Sequence, residues 1–342
     1  MKPCIIVHGG ASNIADIFVE KCKLGTRNAA KTGYAVLREG GSALDAVCAA
    51  VTSLEDNPVF NAGHGSCLTE DETVEMDALI MDGDTLRIGA VGAVTDIANP
   101  VQLSKKILEN TPHCMLVGHG ASKFAKKVGH PVLSDPAELI VAESVLKAKL
   151  AGRFSFEQSV KTYFNNIIHS KDMQELEEIA SKMARAEDVD PKNGSVGHDT
   201  VGAVAIDGSG RMACATSTGG IPGKWVGRIG DSPLTGCGGY ANKFGGAAST
   251  GHGESLTKTT ICRQAVYYME NGDDAQTAAE KAIKYLGNET DGRGGIICIS
   301  NKGDIGFSFS TFRMGWAFIA NDKIKFGIDH GDKFETSLEE EI

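Results

Sequence analysis

The sequence has no block of lysine and arginine and few aromatic residues (6 %), and its net charge is −10. This excludes a nucleic-acid partner. No apolar run approaches the ~20 residues needed to cross a bilayer, and the three apolar residues before His8 are too few for a signal peptide. The nine cysteines (4, 22, 48, 67, 114, 214, 237, 262, 298) are odd in number, scattered, and never form C-x-x-C. Zinc and a disulfide framework are thereby excluded, and reduced thiols in the cytoplasm are expected. The sequons at Asn193 and Asn288 would then be unused.

Several catalytic signatures are missing too. "GIPGKW" has Trp225 where a P-loop needs a hydroxyl, and no G-x-S-x-G elbow occurs. "GCGGYA" (236–241) fits G-x-G-x-x-A by letters, but no strand precedes it. Five of the nine histidines precede glycine (His8, His64, His119, His252, His330), which places them in turns. None has metal-ligand spacing, and none is an obvious base for a serine or cysteine nucleophile.

What is abundant is glycine: 42 of 342 residues, about 12 % against a usual ~7 %. The glycines cluster in short motifs without a period, as tight turns and close backbone–ligand contacts require. "CIIV" (4–7) reads as a buried strand and about 15–38 as a long helix. Ser42 and Asp45 have capping-box spacing before a helix to about 56. Residues 73–94 read as two strands about the turn Asp82-Gly83-Asp84. A helix near 100–110, a strand "CMLVG" and a helix near 120–128 follow, and 135–185 reads as helical. Paired strands at 200–206 and 211–218 lead into a Gly-rich loop region (219–251). Helices at about 253–271 and 274–286 and three strands then end the core, before an acidic tail (331–342). Strands and helices in separate runs favour α+β layers.

"NGSVGHDTVGAVAIDGSG" (193–210) changes character at Asp199-Thr200. A polar segment (187–199 reads as a flexible linker) enters a β-rich apolar run there. A nucleophilic hydroxyl needs a base within reach. Breaking the peptide before a threonine supplies one, because the new α-amine has a pKa of about 7.7–8.0. Thr-N-terminus nucleophiles are a known variant of triad chemistry.

On these residues the chain resembles the plant-type asparaginases and isoaspartyl peptidases, threonine-type members of the N-terminal nucleophile (Ntn) hydrolases. The matching motifs are "VHGGA" (7–11), "LEDNPVFNAGHGS" (54–66), "MDALIMDG" (76–83), "TVGAVAID" (200–207), "ATSTGG" (215–220), "GRIGDSP" (227–233), "GCGGYA" (236–241) and "STGHGES" (249–255). The resemblance implies one domain (1–342), a four-layer αββα sandwich of two antiparallel sheets between helical layers. It also implies cleavage between Asp199 and Thr200 into α (1–199) and β (200–342) chains, and a homodimer of αβ units. The implied activity is hydrolysis of L-asparagine and of β-aspartyl dipeptides, with no catalytic cofactor.

The same resemblance implies Thr200 as nucleophile, Thr218 bonding its hydroxyl, and Thr250 with Gly251 at the oxyanion hole. Arg228 would hold the substrate α-carboxylate and Asp231 its α-ammonium, as bidentate guanidinium and carboxylate partners suit. Gly251 and Gly253 would admit substrate to the backbone, and Gly9 and Gly10 would shape the pocket floor. Asn61 is implied near the oxyanion of the cleaving precursor, beside its reading as a turn former before Gly63. The carbonyls of Leu54, Glu55, Asn57, Phe60, Ala62 and His64 match a backbone sodium loop. Asp199 departs from the usual glycine and resembles glycosylasparaginase and taspase-type chains; it is expected to change processing rate, not substrate choice. Those two activities and an uncleaved binding protein are the alternatives.

Overall fold

The computed structural model describes residues 2–150 and 200–338. The predicted helices of 151–185, the linker 187–199 and Asp199 itself lie outside the described residues.

Thirteen strands are described: β1 (Cys4–Ser12), β2 (Met76–Asp82), β3 (Ile88–Val94), β4 (Met115–Val117), β5 (Val201–Ile206), β6 (Met212–Thr218), β7 (Gly239–Asn242), β8 (Gly245–Gly251), β9 (Gly294–Ser300), β10 (Ile305–Phe309), β11 (Arg313–Ala320), β12 (Lys323–Gly327) and β13 (Phe334–Ser337). Eight helices accompany them: α1 (Asp16–Arg38), α2 (Ala43–Glu55), α3 (Pro100–Asn110), α4 (Gly118–Lys127), α5 (Ala142–Leu150), α6 (Gly253–Thr259), α7 (Ile261–Glu270) and α8 (Ala275–Glu289). The Ser42 hydroxyl caps α2 by accepting from the Asp45 N–H at 3.1 Å, as its spacing predicts.

The strands form a nine-stranded sheet, β13-β12-β11-β1-β5-β6-β2-β3-β4, and a four-stranded sheet, β10-β9-β8-β7. All pairs are antiparallel except β3 with β4, a parallel pair at one edge. Period-two alternation sorts the central strands. Ile5, Val7, Ala203, Ala205, Ala213 and Ala215 pack towards the layer of α1, α2 and α3. Cys4, Ile6, Val204, Ile206, Met212 and Cys214 meet Ala248, Ile297 and Ile299 of the smaller sheet. That sheet's outer face is covered by α7 and α8 through Ala247, Cys262, Ala265, Ala279 and Leu286. The order is therefore helices, sheet, sheet, helices, the αββα sandwich expected.

Three local readings change. The Gly-rich region 219–251 contains the hairpin β7–β8. Its small residues hide it from a strand propensity count, yet smallness is what the packing needs: a Cβ on Gly246 would lie 2.7 Å from Val204 Cγ1. The helix at 253–271 is two helices, broken at Thr260 by a left-handed φ of 44°. The core does not end with three strands, because β12 pairs with β11 and β13, from within the acidic tail, pairs with β12.

Candidate active site

Parity puts the threonines together. Thr200 enters β5 on the same face as Val204 and Ile206, towards the second sheet. Continuing the β5–β6 register, in which Val201 faces Ser217, sets Thr218 opposite Thr200. On β8, Thr250 shares the inward face of Ala248. All three side chains are buried.

The Thr200 hydroxyl lies 3.2 Å from the Ser232 hydroxyl. The Thr200 N–H donates to Thr250 Oγ1 at 3.2 Å, and the Ala11 N–H donates to that oxygen at 3.2 Å. With two donors on its oxygen, Thr250 is left to direct its own hydrogen elsewhere. Thr218 Oγ1 accepts from the Gly220 N–H at 3.0 Å, so the described contact of the Thr200 hydroxyl is with Ser232 and not with Thr218. Ser232 is in turn held through its carbonyl, which accepts from Thr216 Oγ1 at 2.8 Å.

Gly251 ends β8 with a φ of 134°, and a side chain there would run into Gly294 and the Arg293 carbonyl. Only glycine suits both the conformation and the space. At Gly253 a Cβ would lie 2.8 Å from Arg228 Nη2 and 3.1 Å from Asp231 Oδ1. The missing side chain thus lets both polar groups converge on one patch of backbone.

Arg228 and Asp231 do not pair with each other. The guanidinium donates to Glu254, with Nε 3.0 Å from Oε1 and Nη2 2.8 and 2.9 Å from the two oxygens. Asp231 is buried and accepts from Ser249 Oγ at 3.3 Å. Burial pushes its carboxyl up to about 7, with Arg228 and Ser249 opposing. A carboxylate so poorly solvated gains by receiving a cation.

Asn61 joins the loop after α2 to the turn after β6. Its amide donates to the Gly220 carbonyl at 2.6 Å and its oxygen accepts from the Cys67 N–H at 2.7 Å. The nitrogen end of the amide therefore braces the turn beside Thr218, while its oxygen closes the loop on itself. Gly9 lies against the Phe60 ring, and Gly10 has a φ of 111°. Next to them His8 is wholly buried; burial lowers its pKa to about 3, with the Thr200 backbone opposing weakly. Neither ring nitrogen has a hydrogen-bond partner among the described residues.

Most carbonyls of the sodium-type loop point at protein donors. Leu54 accepts from the Asn57 N–H at 3.2 Å, Asn57 from Phe60 at 3.1 Å and Ala62 from Gly65 at 3.1 Å. The Phe60 carbonyl accepts from Lys147 Nζ at 2.9 Å. Four of the six expected carbonyls thus already accept from protein donors, and at Phe60 that donor is itself a cation, which does not fit a second cation on the same oxygen. The side chain of Glu55 is spent elsewhere: it accepts from the Val101 N–H at 3.0 Å, and burial pushes its carboxyl up to about 8. Among the described residues no group of His, Cys, Asp and Glu could hold a metal ion.

Three residues of the site escape sequence reading. Ser232 lies inside a matched motif, and its neighbour Asp231 was the only signal. Glu254 also lies inside a matched motif, where nothing signalled its role, and Lys147 becomes visible only through its partners.

Two face-to-face sheets between helical layers, with a buried threonine at the head of a central strand, define the Ntn-hydrolase class of sandwich. The sequence pattern of the family described as "Asparaginase" matches residues 1–328, and the chain belongs to that family. It is 42 % identical over 341 residues to the isoaspartyl peptidase/L-asparaginase of Danio rerio, with 99 % of each chain covered. It is 41 % identical to that of Xenopus laevis over the full length of both. The Homo sapiens protein of the same name is 42 % identical over 340 residues, 99 % of this chain and 100 % of that one.

Proposed function

We propose that this chain is made as a precursor which severs its own Asp199–Thr200 peptide, and that Thr200 then hydrolyses L-asparagine and β-aspartyl dipeptides. The observation carrying this reading is the buried Thr200 at the head of β5, its N–H held by Thr250 and its hydroxyl facing Ser232. The names of the relatives support the substrate class.

In the precursor the Thr200 hydroxyl attacks the Asp199 carbonyl carbon, and its proton passes to the Thr200 nitrogen as the Asp199–Thr200 C–N bond breaks, giving an ester. Water hydrolyses the ester, leaving an α chain of 199 residues and a β chain of 143 with a free amine on Thr200. That amine takes the hydroxyl proton as Oγ attacks the side-chain carbonyl of the substrate. Thr250 and the Gly251 N–H face the developing oxyanion. The proton passes to the leaving nitrogen, which departs as ammonia or as the amine of the second residue. Water, deprotonated by the same amine, then frees aspartate from Thr200. Arg228 takes the α-carboxylate, exchanging it for or sharing it with Glu254, and Asp231 takes the α-ammonium. Apart from water and substrate, these steps use only groups of the chain.

A homodimer of αβ units acting in the cytoplasm completes the proposal. The cytoplasmic part is supported by the thiol set: none of the nine cysteines is in a disulfide, and eight are buried, with Cys4 and Cys48 pushed up to about 12 by burial.

Intact mass and amino-terminal sequencing of the purified protein, followed by an assay of ammonia from asparagine, test the reading. Wild type should yield two fragments, one beginning at Thr200, and release ammonia. Thr200→Ala should stay whole and lose at least ~10³-fold in rate. A Thr200→Ala protein that turns over asparagine at the wild-type rate would overturn it.

A further inference from the structure

Lys147 lies on α5, and its side chain enters the loop that follows α2. Nζ is 2.8 Å from the Gly65 carbonyl, 2.9 Å from that of Phe60 and 3.5 Å from that of Pro58. The residue is buried. An ammonium has three donors and no acceptor, and here the three are met by three carbonyls. The carbonyls converge because the loop doubles back at Gly65, where a side chain would overlap the oxygens of both Phe60 and Pro58. Carbonyl oxygens gathered just beyond a helix C-terminus are a cation-binding arrangement, since the helix dipole adds negative potential there.

We propose that the ammonium of Lys147 is the built-in cation of this loop, standing in for an alkali-metal ion and making the loop indifferent to sodium. The carbonyl of Phe60, one of the six expected around sodium, is bound to Lys147 instead. A second cation sharing that oxygen would lie close to Nζ and be repelled. The same loop carries Asn61, whose amide braces Gly220 beside Thr218. Lys147 is therefore a positioning residue: it sets the loop, and the loop sets the turn next to the nucleophile.

The test is thermal unfolding and ²³Na relaxation of the full chain, in sodium chloride against choline chloride at equal ionic strength. Wild type should melt at the same temperature in both salts and show no saturable sodium broadening. Lys147→Met should melt lower in choline and regain at least about 3 °C in sodium, with saturable broadening; Lys147→Arg should behave as wild type. Saturable sodium binding by wild type, or a Lys147→Met protein as indifferent to sodium as wild type, overturns the proposal. Should Lys147→Met not fold in either salt, the wild-type arm decides: silence upholds the proposal and sodium binding defeats it. Because neither readout is catalytic, failure here is distinguishable from failure of the proposed hydrolysis.

Discussion

At the scale of single residues, the proposed function makes the charge of Asp231 set how tightly a free amino acid is held. Its carboxyl, raised to about 7 by burial, is neutral below that pH and ionised above it. A substrate ammonium is therefore held above about pH 7 and released as pH falls. KM for asparagine should rise about tenfold per unit below pH 7, while KM for succinamate, which lacks the ammonium, stays flat. Parallel rises for both compounds would show that Asp231 does not read the ammonium. The candidate threonines were legible only through their joint placement in three motifs of the resembled family, since a threonine in a strand is by itself ordinary. Ser232 and Glu254 were not, because a hydroxyl or carboxylate declares its partner only when remote segments meet: Glu254 is 26 residues from Arg228 in sequence.

At the scale of elements, the end of β8 is held by backbone geometry rather than by side chains. Gly251 faces Gly294 across the β8–β9 ladder, and its φ of 134° is closed to other residues at little cost. Gly251→Ala should destabilise the fold by about 1–3 kcal/mol and, by displacing the proposed oxyanion donor, slow asparagine turnover on the order of 100-fold or more. Urea denaturation together with kcat measures both. Unchanged kcat would remove Gly251 from the oxyanion hole. Helices α1 to α4 were readable as helical runs, and strands β1 and β5 as continuous apolar runs, since both faces of each strand are buried. The hairpin β7–β8 was not, because Gly246, Ala247 and Ala248 pack by being small, and small residues carry little strand signal. Strand β13 was hidden differently: its residues are mostly solvent-facing, so it lacks the alternation that a half-buried strand displays.

At the scale of the whole molecule, α+β layering was legible from the segregation of strands and helices and the αββα order from the family resemblance, whereas strand order was not legible, because it depends on pairing between distant segments. That order carries a consequence for the proposed products of processing. Strand β1 comes from before the break, yet it is seated between β11 and β5, both from after it. Beyond them β6, again from after the break, adjoins β2 from before it. The severed halves would be interleaved like the fingers of two hands, and parting them would strip backbone pairing from the middle of the large sheet. A fully processed sample should therefore keep its uncut hydrodynamic size through extensive dilution, as gel filtration with light scattering would report, and resolve into two pieces only in denaturant. Cutting the chain would change its chemistry at one residue and leave its architecture nothing to fall apart along.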